Sequence, residues 1–317
     1  MAVFIPRADN PEIPPPYEFP GITMLSFRLP AVMANLQNLC DQWLNIGTLA
    51  QRGFEYRACF DFVDLEIVTY PRMTFAESPY STWGYATQHE LYFRFFVWKL
   101  QYACGLLLPT EMPELFFPYI FVDNSWSMIT GRNVIGFPKV MAQFNRTPIP
   151  MPNPFPITMS ALVMDRYATT TKLDWKQIVT VTADPVGAAA EQPGPGNIWP
   201  WVELGAGIAD PLLNEGLQNV LTALPNAFST VQLKQFRDAS SLTDACYQAV
   251  VATPFTPSNI GAPNPLPPAA VTVSAYDSLN IPKALGIPAG APLHPILQYS
   301  VTLDMSMSAG TNIFVNK

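Results

Sequence analysis

The sequence is short of charge. Its 317 residues carry 17 Lys and Arg against 24 Asp and Glu, about half the usual density. The formal net charge of −7 leaves no surplus of cations for a phosphate backbone or an anionic bilayer, so neither nucleic acid nor membrane is expected as a partner. Long apolar runs are missing too: none approaches the roughly 20 residues that span a bilayer. Met1 to Pro20 holds six prolines and no apolar stretch of the secretory kind, which predicts no signal peptide. The expectation is a soluble, cytoplasmic protein.

Cysteine and histidine are scarce. Cys40, Cys59, Cys104 and Cys246 are widely spaced, with no C-x-x-C, which excludes a disulfide scaffold or structural zinc and predicts free, buried thiols. Only His89 and His294 are present, so no metal site is expected. The P-loop, G-x-S-x-G, H-E-x-x-H and dinucleotide-binding glycine patterns are absent as well.

What the chain has is proline and apolar bulk. It holds 34 Pro, 20 Phe, 12 Tyr, 7 Trp and 12 Met, enough to build a large core and to exclude global disorder. Asn10–Pro20 reads as an extended arm. Val32, Leu36, Leu39, Cys40, Trp43 and Leu44 recur at helical spacing behind Pro30. From Gly53 the period shifts toward two, with Tyr56, Ala58, Phe60 and Phe62, then Val63, Leu65 and Ile67. Leu91–Trp98 and Leu115–Val122 are aromatic-rich strand candidates, and Tyr299, Val301, Leu303 and Met305 alternate again. Proline-rich breaks at Thr147–Pro156, Gln192–Pro200 and Pro254–Pro268 read as ordered loops or connections. A second helix is predicted at Pro211–Leu224, N-capped by Asp210. The pattern predicts one mainly antiparallel β domain over residues 1–317, with two or three helices.

One segment departs from this background. Phe121-Val122-Asp123-Asn124 is followed by Gly131-Arg132-Asn133 and then by Phe137-Pro138-Lys139. A lysine held in apolar surroundings loses solvation of its charged form, which makes the neutral amine available to attack a ketone and form a Schiff base.

The segment resembles acetoacetate decarboxylase and its relatives, whose core reads approximately Tyr-Leu/Val-Asp-Asn, Gly-Arg-Glu and Tyr/Phe-Pro-Lys. The resemblance extends to Pro16-Tyr17-Glu18-Phe19, Asp64-Leu65-Glu66-Ile67, Gln88-His89-Glu90-Leu91, the stretch Leu233–Ala239 with Cys246–Ala249 behind it, and the closing Val301–Val315. About 183–230 stands as an insertion. The resemblance implies a mainly β (α+β) fold: a closed antiparallel β cone or barrel flanked by a larger antiparallel sheet and a few helices, assembled as a homo-oligomer. It places the Schiff-base lysine at Lys139 and the two active-site glutamates at Glu66 and Glu90.

Two departures from the family bear on the chemistry. Val140 stands where its decarboxylases carry a second lysine, so desolvation alone must activate Lys139. Ile22 stands where they carry an arginine near the site's mouth, which leaves Arg28 or Arg132 to supply positive charge for a keto acid. Tyr276 is the expected proton donor from the second half of the chain. His89 neighbours Glu90 on a strand and so faces the other way; His294 reads as a loop residue. The expected function is a Schiff-base lyase acting on a keto acid, its small-molecule partner being a keto acid or a ketone or aldehyde, with no cofactor because the lysine imine is itself the electron sink. The alternatives are an aldolase or dehydratase using the same imine, and a non-catalytic barrel binding an apolar small molecule.

Overall fold

The computed structural model describes residues 4–5, 12–103, 105–109, 113–151, 153–184 and 228–316. The predicted helix Pro211–Leu224, the break Gln192–Pro200, Cys104 and most of the expected insertion lie outside the described residues. Strands dominate: β1 (Tyr17–Pro30), β2 (Phe54–Ala58), β3 (Phe62–Phe75), β4 (Ala86–Ala103), β5 (Leu106–Pro109), β6 (Glu114–Val122), β7 (Lys139–Phe144), β8 (Ile157–Val163) and β9 (Asp174–Ala183) form the first half. The second half adds β10 (Phe228–Arg237), β11 (Ala245–Ser258), β12 (Asn264–Pro265), β13 (Ala269–Val273), β14 (Leu297–Met307) and β15 (Thr311–Val315). Among the described residues four short α-helices accompany them, α1 (Met33–Trp43), α2 (Leu49–Arg52), α3 (Ser125–Thr130) and α4 (Ile281–Leu285). None of the described helices is long and apolar enough to cross a membrane.

Seven strands close on themselves. The order β6-β10-β11-β14-β1-β3-β4 returns to β6 through a β4–β6 pairing. β4 makes this possible by its length, since its first half pairs with β3 and its middle with β6, while Val97–Gln101 continue beside β2. A second wing, β7-β8-β9-β13, leaves the ring from β6. The cone and flanking sheet are thus present, but the sheet is mixed rather than antiparallel throughout. β6 pairs in parallel with both β7 and β10. For β7 the reason is local: α3 and the π-helical turn Gly131–Ile135 carry the chain back between β6 and β7, and such a crossover returns a strand in the same direction.

Strand alternation divides the apolar residues between two cores. Leu25, Phe27, Leu65, Ile67, Leu91 and Phe93 face outward from the ring and pack with Leu36, Leu39 and Cys40 of α1 and with Met159, Ala161, Val179 and Val271 of the wing. Their neighbours Ile22, Met24, Val68, Tyr70 and Tyr92, with Tyr299 and Val301 of β14, face the ring interior.

Two local expectations change. The Pro254–Pro268 break begins as strand, because β11 runs on to Ser258. A proline removes a donor but keeps its acceptor, and the Pro254 carbonyl takes a hydrogen bond from Ser308 N at 3.0 Å. Among the thiols, Cys40 is buried and pushed well above its ordinary pKa by desolvation, but Cys246 is exposed on β11.

The packing between ring and wing predicts a contrast. Leu65→Ala, emptying a fully buried site between them, lowers the unfolding free energy by about 2–5 kcal/mol. Leu162→Ala on β8, whose side chain is exposed, changes it by about 0.5 kcal/mol or less. Denaturant titration of both variants tests this.

Candidate active site

The ring interior is not filled. It encloses a cavity of about 140 Å³ whose lining includes Glu66, Tyr70, Gln88, Glu90, Tyr92, Arg94, Ser127, Gly131 and Lys139 among apolar side chains. Strand pleating explains three of these together. Glu90, Tyr92 and Arg94 alternate along β4 and share its inner face, while His89, one residue before Glu90, faces away. His89 is instead tied to Asp123, its backbone N–H donating to Oδ1 at 2.7 Å and its Nδ1 lying 2.7 Å from Oδ2.

Asp123 and Asn124, the opening of the lysine motif, are anchors. Asn124 caps α3 by accepting from Trp126 N at 2.9 Å and Ser127 N at 3.2 Å, and its Nδ2 donates to the Thr87 carbonyl at 2.9 Å. With Asp123 held by His89, these bonds fasten the start of α3 to β4. That sets Ser127 where its Oγ accepts from Lys139 Nζ at 2.8 Å.

Lys139 opens β7 beside Ile120 of β6. Its side chain is 9% exposed, and Nζ also donates to Glu90 Oε1. Glu90 takes a second hydrogen bond from Gln88 Nε2 at 3.1 Å, and its charge adds to burial in raising the pKa of the Tyr70 hydroxyl in the same lining. The next residue, Val140, points away and is exposed, so position 140 presents nothing to the cavity.

Two glycines make room for this arrangement. A Cβ on Gly131 would lie 2.7 Å from Cδ and 2.8 Å from Cε of Lys139. Gly136 closes the π-helical turn at φ +95°, and a Cβ there would meet Lys234 Cβ at 2.7 Å. At both positions a side chain would displace the segment that aims the lysine.

Below the lysine lies a second layer of charge. Arg94 ion-pairs with Glu66 and stands 3.5 Å from Asp64, which Arg28 holds through Nε at 2.9 Å. Burial raises the pKa of the Glu66 carboxyl; the nearby Arg94 opposes that shift but does not cancel it. Burial likewise raises the Tyr70, Tyr92 and Tyr299 hydroxyls, with help from Glu66 in each case. These phenols therefore stay protonated as hydrogen-bond donors.

Lys139, Glu66 and Glu90 are thus brought to one cavity, while Arg28, Arg132 and Tyr276 are not. Arg28 is buried under the Phe62 ring, 4.0 Å from its centroid, and committed to Asp64. Arg132 is exposed on the π-helical turn. Tyr276 donates to the Gln177 carbonyl at 3.1 Å near β9. The arginine that does line the cavity is Arg94, and its signal was strand alternation through Glu90 and Tyr92. Ser127 had no such signal, because α3 meets β7 only through the crossover. His294 sits in a loop, half exposed, 3.0 Å from Asp184. Among the described residues no group of His, Cys, Asp and Glu is arranged to hold a metal ion.

The crowding at Gly131 predicts that Gly131→Ala displaces the lysine side chain. Acylation of Lys139 by acetic anhydride, followed by peptide mass spectrometry, is slow in the parent protein and faster in the variant. Unfolding of the variant comes about 1–3 kcal/mol easier, as for other overpacked sites.

No protein-family model matches the chain, and no curated protein matches it. Solved structures do. The acetoacetate decarboxylase of Legionella pneumophila superposes with a TM-score of 0.55 at 13% identity, over 99% of this chain and 93% of that one. The enduracididine biosynthesis enzyme MppR, complexed with pyruvate, gives 0.51 at 13% over 95% and 91%. An acetoacetate decarboxylase-like enzyme from Sphingomonas wittichii gives 0.51 at 13% over 94% and 92%. The closed ring, the wing and the order of the strands are therefore those of the acetoacetate decarboxylase fold.

Proposed function

We propose that this protein is a lysine Schiff-base lyase, with Lys139 as the nucleophilic amine. One observation carries the reading: the only lysine in the cavity lining, among the described residues, is buried with its Nζ bonded to Glu90 and Ser127. The resemblance of the lysine motif supports it, and so does the shared fold with enzymes, one of them complexed with the keto acid pyruvate.

The chemistry follows from the neighbours of the amine. Glu90 takes a proton from Lys139, and the neutral nitrogen attacks the carbonyl carbon of the substrate. One proton passes from the nitrogen to the new alkoxide to give the carbinolamine, and Glu90 then returns its own proton to that oxygen, which leaves as water and yields a protonated imine. The cationic imine withdraws electrons from the adjacent carbon, so a bond there breaks with its electron pair held as an enamine. Protonation of the enamine and hydrolysis release the product and restore Lys139. Decarboxylation, retro-aldol cleavage and dehydration all pass through this imine. Gln88 orients Glu90, and Glu66 with Arg94 supports the layer beneath.

Borohydride trapping tests the amine. Reduction in the presence of a ketone leaves a stable alkyl group on Lys139, read by intact mass and peptide mapping, and Lys139→Ala takes up none. A parent protein with no adduct from any carbonyl compound between about pH 6 and pH 9 would be a binding barrel rather than an enzyme. Glu90→Gln, which keeps the shape but loses the proton acceptor, slows adduct formation by about 100-fold.

A further inference from the structure

Resting on the Schiff-base reading, we infer that the carbonyl compound taken by Lys139 is a neutral ketone or aldehyde with an apolar tail, not a keto acid. Two separate observations carry this.

The first is charge balance. In the cavity and the layer beneath it the cations are Arg28, Arg94 and Lys139 and the carboxylates are Asp64, Glu66 and Glu90. Each has a partner inside the set: Arg28 holds Asp64, Arg94 holds Glu66 and approaches Asp64, and Lys139 holds Glu90. Arg94 and Lys139 are the cations of the lining among the described residues. The charge of Lys139 persists in the protonated imine and still faces Glu90. A substrate carboxylate would enter as a surplus anion in a buried site with no uncommitted cation among the described residues, which is strongly disfavoured. A neutral carbonyl leaves the balance as it stands.

The second is the layering of the barrel. β1 and β14 pair Met24 with Val301 at the level where Val68 faces Glu90. Beyond that level their next inward pairs are Ile22 with Leu303, Phe19 with Met305 and Tyr17 with Met307. Three successive layers thus offer hydrocarbon and thioether surface, and the Tyr17 hydroxyl is already given to the Ile13 carbonyl at 2.6 Å. Unbranched methionine side chains adapt to a chain of variable length. A substrate held at its carbonyl by Lys139 therefore lays its apolar substituent along these layers.

The test is borohydride trapping on the intact protein with 2-butanone, 2-pentanone, 2-heptanone, acetoacetate and pyruvate, each titrated to half-maximal adduct at Lys139. The concentration required falls by about fourfold per added methylene from 2-butanone to 2-heptanone. Acetoacetate, close in size to 2-pentanone, requires at least about tenfold more, as the loss of one charge-assisted contact predicts. Acetoacetate or pyruvate trapped as readily as 2-pentanone, or a flat ketone series, overturns the inference and leaves the Schiff-base reading intact. No adduct from any of the five overturns both. Glu66→Gln frees Arg94 from one carboxylate, so the ratio of acetoacetate to 2-pentanone shifts toward acetoacetate by about tenfold. An unchanged ratio in a folded variant refutes the charge-balance argument.

Discussion

The ion pair between Lys139 and Glu90 sits inside a barrel that is otherwise mostly hydrocarbon, and much of the surrounding structure serves to keep it there. An isolated charge in such a place is several kcal/mol uphill from water, so the amine needs a partner and the partner needs a frame. Gln88 holds the carboxylate, Ser127 holds the amine, and Asn124 holds the helix that delivers Ser127. Gly131 supplies the missing volume beside the lysine stem. Remove the closed ring and these groups have no reason to meet.

The two apolar cores divide the work. The outer one, between ring, wing and α1, is filled by residues with almost no exposure, among them Phe27, Leu65, Phe93 and Val271. Close packing of this kind supplies stability. The inner one is incomplete by design, since it contains the cavity, and an unfilled interior is a net loss to folding. The wing therefore does more than flank the barrel: its side chains cover the outer face of the strands whose inner face carries the site.

The charged layers extend the same logic. Arg94 and Arg28 share Asp64 between them while Arg94 also meets Glu66, so the floor of the cavity is held by bonds among strands β1, β3 and β4. Glu66 keeps a raised pKa mainly because of burial, despite Arg94. A carboxyl so placed gives up its proton at a higher pH than solvent-exposed carboxyls do.

Much of this was legible in the residues. The helix at α1 and the strand periodicity rest on local pattern, which depends only on the geometry of the nearest few residues, while Glu66, Glu90 and Lys139 were placed by the resemblance of short motifs. Alternation from Glu90 also contained Tyr92 and Arg94. Arg28, Arg132 and Tyr276 were choices of residue type, and type says nothing about which way a cation faces. The parallel pairings of β6, the strand course of Pro254–Ser258 and the approach of Ser127 to Lys139 came from contacts between segments far apart in the chain. A pleated strand has two faces by covalent geometry, and the sequence by itself settles which residues share one. Which face turns inward is decided only when β4 meets β6 and the ring closes, because that choice depends on the joint burial of seven strands at once.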